Sequence, residues 1–150
     1  MTTPWLDDEQ QRVWRQWVSV STRLPAELQR AMQEEAGLSL SDYEVLVRLT
    51  DTEEGRVRIS ELAKLLGWEK SRLSHHLTRM ERRGLIRREE CPDDGRGAFV
   101  VLTGEGRGSI ETAAPGHVRE VRRLFFDRLE PAEVRLLDQL LTKVADGLSG

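Results

Sequence analysis

Between Arg58 and Thr103 the chain sets out a short helix, a tight turn, a second helix and a hairpin with almost nothing between them, and few folds accept that order at that spacing. Ile59 to Leu66 forms the first helix, with Ser60 suited to cap it and Gly67 to stop it. Trp68-Glu69-Lys70 makes the turn. Ser71 to Arg83 forms the second helix, ended by Gly84. Two strand-like runs follow, Leu85 to Glu90 and Ala98 to Thr103, joined by the turn-rich Cys91-Pro92-Asp93-Asp94-Gly95-Arg96-Gly97. A helix-turn-helix with a hairpin behind it is far more often a reader of DNA than anything else.

The second helix shows why. At about 100° per residue, Leu73, Leu77 and Met80 fall in one narrow arc and face the core. The opposite arc carries Ser71, His75, Thr78, Arg79 and Arg82, with Arg72 and His76 on its flanks. Every group there donates or accepts hydrogen bonds or carries positive charge. Arginine bonds guanine through two donors, and serine, threonine and histidine reach base edges or phosphates. In the hairpin, Arg87 and Arg88 precede the turn and Arg96 stands near its tip between two glycines, where an arginine suits a narrow minor groove. One of Asp93 and Asp94 is suited to orient a neighbouring arginine.

Charge distribution agrees with this placement. The chain has 150 residues and a net charge of −3, yet Trp68 to Arg96 holds eight Lys/Arg against six Asp/Glu, leaving fifteen against twenty elsewhere. With 33% charged and 38% hydrophobic residues, the composition is that of a soluble globular protein. No apolar run spans a bilayer and Met1 to Gln11 contains no signal-peptide core, so a cytoplasmic address is expected. One cysteine excludes an internal disulfide framework, and no CxxC pair exists. Cys91 follows Glu89-Glu90, where negative charge disfavours a thiolate, so a plain hairpin residue is the better reading and a redox-responsive regulator the alternative. No metal set is expected, because His75 and His76 are sequential on one helix and diverge, and His117 stands alone. No GxSxG, P-loop, HExxH or dinucleotide fingerprint points to an enzyme or a cofactor.

Both ends of the chain are helical. Asp7 or Asp8 caps a helix running towards Glu35, with Val13, Trp14, Trp17, Val18, Leu24, Leu28 and Met32 as its apolar positions; Pro25 is expected to kink or divide it. Gly37 marks the stop, and Ser41 is suited to cap the next helix. Thr103 caps a helix from about Glu105 to Leu129, bent at Pro115-Gly116. Pro131 opens a last helix with Val134, Leu137, Leu140, Leu141, Val144 and Leu148 as a stripe. This apolar surface exceeds what a small reader needs, so residues 1–37 and 104–150 are expected to intertwine two copies around a reading domain at 38–103. A homodimer of that kind places two reading helices about one DNA turn apart, ~34–36 Å, and matches a pseudo-palindromic operator. A helical protein–protein adaptor would use the same stripes, but has no use for Arg72, Arg79 and Arg96 on one outward surface.

The order of elements resembles the MarR family of bacterial regulators: mainly α with a small β wing, a winged helix-turn-helix flanked by N- and C-terminal dimerisation helices. The likeness runs from about Trp5 to Leu148. It is most specific in Leu40-Ser41-Asp42-Tyr43-Glu44-Val45-Leu46, in Met80-Glu81-Arg82-Arg83-Gly84-Leu85-Ile86, and in Asp94-Gly95-Arg96 leading to Leu102-Thr103-Gly104-Glu105-Gly106. Asp94 and Arg96 satisfy the family's Asp-x-Arg wing, while Gly95 departs from a second arginine there and His75 stands where many members have arginine. The resemblance implies that Ser71, Arg72, Ser74, His75 and His76 touch bases and phosphates of double-stranded DNA and that Arg96 reaches the minor groove; Arg79 joins the DNA-binding candidates from its place on the outer arc. It further implies repression, and release from DNA by a small aromatic effector held between the closing helices and the reading domain. Trp14, Trp17, Tyr43 and His117 are the candidates to line that pocket, with ordinary core or dimer packing as the competing reading.

Overall fold

The first helix begins where Asp7 can hold it. In a computed structural model, which describes residues 2–90 and 97–149, the Asp7 carboxylate accepts from the Gln10 amide at 2.7 Å and the Gln10 side chain accepts from the Asp7 amide at 3.0 Å. Helix α1 (Asp8–Ala36) then runs unbroken through Pro25, which was expected to kink or divide it. A proline removes one backbone donor and leaves the fourth preceding carbonyl, that of Ser21, unmatched. The helix tolerates that loss over 29 residues and ends at Gly37, whose φ of 66° is left-handed.

Helix α2 (Leu40–Thr50) is capped by Ser39, not Ser41. Both serines offer the signature, since Glu44 follows Ser41 by three residues as Asp42 follows Ser39. The register that wins lets Leu38 become 98% buried and lets the Ser39 hydroxyl and Asp42 carboxylate each accept from the other's amide at 2.9 Å.

A strand the sequence reading did not foresee comes next. β1 (Arg56–Arg58) pairs antiparallel with β3 (Ala98–Leu102), which pairs on its other edge with β2 (Ile86–Glu90), giving the order β1-β3-β2. Three residues with one apolar member are too short to show alternation. Because β1 delivers Arg58 in extended conformation, α3 (Ile59–Leu66) starts directly after it, and Ser60, expected to cap, lies inside the first turn. The end of α3 follows expectation. The Gly67 amide donates to the Lys64 carbonyl at 3.2 Å and the Trp68 amide to the Ala63 carbonyl at 3.0 Å, with Gly67 at φ 69°. This double closure turns the chain into α4 (Lys70–Arg82).

Helix α5 (Gly104–Leu124) is capped by Thr103, whose hydroxyl oxygen accepts from the Gly106 amide at 3.0 Å. A side chain at Gly106 would collide with the Leu85 carbonyl, so glycine there permits the close approach of α5 to the start of β2. The helix passes through Pro115 and stops at Leu124, short of the expected Leu129; a 3-10 turn at Phe126–Arg128 leads to α6 (Pro131–Leu148).

The core lies in the middle of the chain. Leu46, Leu49, Leu62, Leu73, Leu77 and Val100 are fully enclosed, each worth ~1.5–3 kcal/mol of transfer from water. The ends differ sharply: no residue of α6 is buried, and Trp14, Trp17, Leu136, Leu140, Leu141 and Val144 are each about half exposed or more. Among the described residues, no helix is long and apolar enough to cross a membrane.

Candidate nucleic-acid interface

Helix α4 is pinned from within by Leu73, Leu77 and Met80, none more than 1% exposed. That anchoring turns Ser71, Arg72, His75, Arg79 and Arg82 to solvent, with Ser74 half-buried beside them. Thr78 is occupied: its hydroxyl donates to the Ser74 carbonyl at 3.0 Å and accepts from Arg88 at 3.0 Å. Arg88 is in turn held by Glu81, at 3.0 Å. Donation from the Arg88 backbone amide is the main reason the Glu81 carboxyl titrates below its ordinary range.

His76 departs from the sequence reading, which set it on the outer flank. The structure buries it, because α4 leans over the start of α2 and brings the imidazole above Asp42. Nε2 stands 2.8 Å from Asp42 Oδ1, off the line of an ideal hydrogen bond, and Nδ1 accepts from Arg79 at 3.1 Å. The imidazole thus faces inward, and its link to the solvent face runs through Arg79.

Asp42 is the centre of this arrangement, and sequence reasoning missed it, along with Arg83 and Trp68. Arg83, at the end of α4, donates to Asp42 Oδ2 at 2.9 Å and to the Gly37 carbonyl at 2.8 Å. Burial pushes the Asp42 carboxyl upwards, but the His76 ring, the Ser39 amide and the Arg83 guanidinium together outweigh it and hold the group at about 2. The Ser39-x-x-Asp42 spacing was a visible signal for its capping role. Nothing in the spacing announced its partners on α4. Trp68 lies under the same helix, its ring edge-on to His76 at 5.5 Å and its face 4.2 Å from the Arg72 guanidinium.

On the outer face of the small sheet, Arg56 and Arg58 stand 4.0 and 5.3 Å from the centre of the Phe99 ring, and Arg87 pairs with Glu89 at 3.0 Å. Arg96, Cys91, Asp93 and Asp94 lie outside the described residues.

The four candidates for an effector pocket separate. Tyr43 and His117 meet with ring centres 4.6 Å apart and line a groove of about 420 Å³ with Leu28, Leu40, Val47 and Leu66. Burial lowers the His117 pKa and raises that of Tyr43, so both rings favour the uncharged form. Trp14 and Trp17 line no part of this groove; they sit on the exposed first half of α1. A second, more apolar depression of about 570 Å³ lies between α1, α5 and α6, at Leu24, Phe125, Leu137 and Leu141.

Comparison with known proteins places this geometry. Residues 38–97 match the model of the MarR family. The whole structure is similar to Sco3205, a MarR family transcriptional regulator from Streptomyces coelicolor solved in complex with DNA, at 42% identity and a TM-score of 0.95, covering 99% of this chain and 93% of that one. It is also similar to AbsC, a MarR family regulator of the same organism, at 43% identity and a TM-score of 0.91, covering 97% and 98% respectively. Among curated relatives, the transcriptional repressor YetL of Bacillus subtilis is 27% identical over 112 residues, 73% of this chain and 67% of that protein.

Proposed function

The chain belongs to the MarR family of transcriptional regulators, and from that footing we propose that it works as a symmetric pair of subunits, each laying α4 in one major groove of a pseudo-palindromic duplex. The observation that carries this reading is the division of α4 into a face locked in the core and a solvent face of Ser71, Arg72, Ser74, His75 and Arg79. Arg79 and Arg72 are the candidates for base edges, and the serines for phosphates. The wing, with Arg96, is assigned to the flanking minor groove. His76 supports the face from beneath. The open apolar surfaces of α1 and α6 supply the contact between subunits, and Trp14 and Trp17 belong to that contact. Occupation of the operator blocks transcription, as the repressor relative YetL suggests.

Selection of bound duplexes from a random pool tests the reading. It should return two inverted half-sites with centres ~34–36 Å apart, and log affinity should fall with log salt at about 0.9 per phosphate neutralised. A protein that selects no sequence, or binds as a lone subunit, rejects it. A flat salt response points instead to a protein–protein adaptor. The Tyr43–His117 groove is assigned to a small aromatic effector, because two uncharged rings with polar atoms stand over an apolar floor, with Glu44 and Arg48 also in the lining. Titration with small phenols should then release the selected duplex, and Tyr43→Ala should abolish that release.

A further inference from the structure

Arginines on and around α4 are held in two different ways. Arg83 and Arg88 are matched to carboxylates, Asp42 and Glu81, which fixes them but cancels their charge. Arg72 and Arg79, on the solvent face, are held by rings: Arg72 by the face of Trp68 at 4.2 Å, Arg79 by Nδ1 of His76 at 3.1 Å. Those rings touch each other edge to face at 5.5 Å. An aromatic face orients a guanidinium without neutralising it and without engaging an acceptor oxygen, so its in-plane donors stay available for a guanine edge.

We propose that Trp68 is a positioning residue for sequence recognition: its indole presets the Arg72 guanidinium on the solvent face of α4 before DNA arrives. The inference rests on reading Arg72 as a base contact. The support beneath the indole is firm. Gly67 and the paired amide bonds to Lys64 and Ala63 fix the backbone of Trp68, and its ring packs against the hydrophobic core. His76, the ring at its edge, is anchored over Asp42 at 2.8 Å. Ordering a long arginine in advance removes part of the rotamer entropy that binding otherwise costs, and the saving appears only where Arg72 meets its base.

A double-mutant cycle tests this. Trp68→Leu, Arg72→Ala and the double variant are each measured on the best duplex recovered from a random pool and on a shuffled duplex of equal length. Trp68→Leu should lower the ratio of the two affinities by roughly twofold to fivefold per half-site, the scale of an exposed cation–π contact. In the Arg72→Ala background the same change should do nothing further. Trp68→Phe, which restores a ring face, should recover most of the ratio. Equal losses in both backgrounds, or equal losses on both duplexes, overturn the proposal and leave Trp68 a core residue. If Arg72→Ala leaves the ratio intact, the base-contact reading of Arg72 falls first and takes the proposal with it. Should Trp68→Leu fail to fold, the unmodified protein still decides: the Arg72 side-chain protons should resonate upfield from ring current, and ordinary shifts would refute the stacking.

Discussion

A carboxylate enclosed as Asp42 is must be matched or protonated, and here three residues, Ser39 at the cap of its own helix, His76 of α4 and Arg83 at the end of α4, supply its partners. Its folded pKa of about 2 lies below the ordinary value near ~3.9, so the unfolded chain takes up a proton first as pH falls. The stability this group contributes is therefore complete above pH ~5 and drains away towards pH 2, an amount on the order of 2 kcal/mol. Urea unfolding of Asp42→Asn across pH 2–7 should show a shallower acid loss than the parent; parallel curves would remove Asp42 from the account. Among solvent-facing residues, Arg72→Ala or His75→Ala should relax discrimination between selected and random duplexes by ~1–3 kcal/mol per base contact, read by competition binding. These side chains were legible in the sequence because helical period alone sets their direction. His76 was not, since period gives an angle on α4 but not that Asp42, thirty-four positions earlier, lies across from it.

Elements were easier to name than to delimit. The Gly37, Gly67 and Thr103 boundaries follow from local chemistry, and the structure places them as read; the hairpin strands lie within a residue of their expected bounds, while α4 takes in Lys70, read as turn, and ends at Arg82. What escaped depended on distant pairing: β1 exists because Val57 meets Val100 on β3, and Ser39 prevails over Ser41 because Asp42 is claimed from α4. Two glycine substitutions should separate local from distant causes. Gly67→Ala meets no atom within 4 Å, so its cost is the left-handed backbone alone, about 1 kcal/mol. Gly106→Ala meets the Leu85 carbonyl and must move α5 away from β2, at ~1–3 kcal/mol. Urea midpoints should rank Gly106→Ala below Gly67→Ala, with unchanged slopes; the reverse order would contradict the close approach.

At the scale of the whole molecule, the apolar stripes of α1 and α6 were readable as stripes, and the structure leaves them uncovered within one chain. A charge at Leu140, 48% exposed and on the stripe, tests their use. If these stripes join the proposed pair, Leu140→Glu should leave the central fold intact by circular dichroism, halve the mass seen by light scattering, and remove the concentration dependence of melting expected of the parent. A variant that keeps the parent's mass would place the subunit contact elsewhere. The double grip of Arg83, on the Gly37 carbonyl and on Asp42, has a mechanical corollary. It ties the tail of a rod about 43 Å long, at about 1.5 Å per residue, to the end of α4. For a straight rod of that length, ~4 Å of sideways travel at the far tip corresponds to only ~5° of rotation at the joint. On the proposed reading, in which a second copy presses at that tip and α4 meets the operator, small rearrangements between partners should shift the pitch of α4 through this joint.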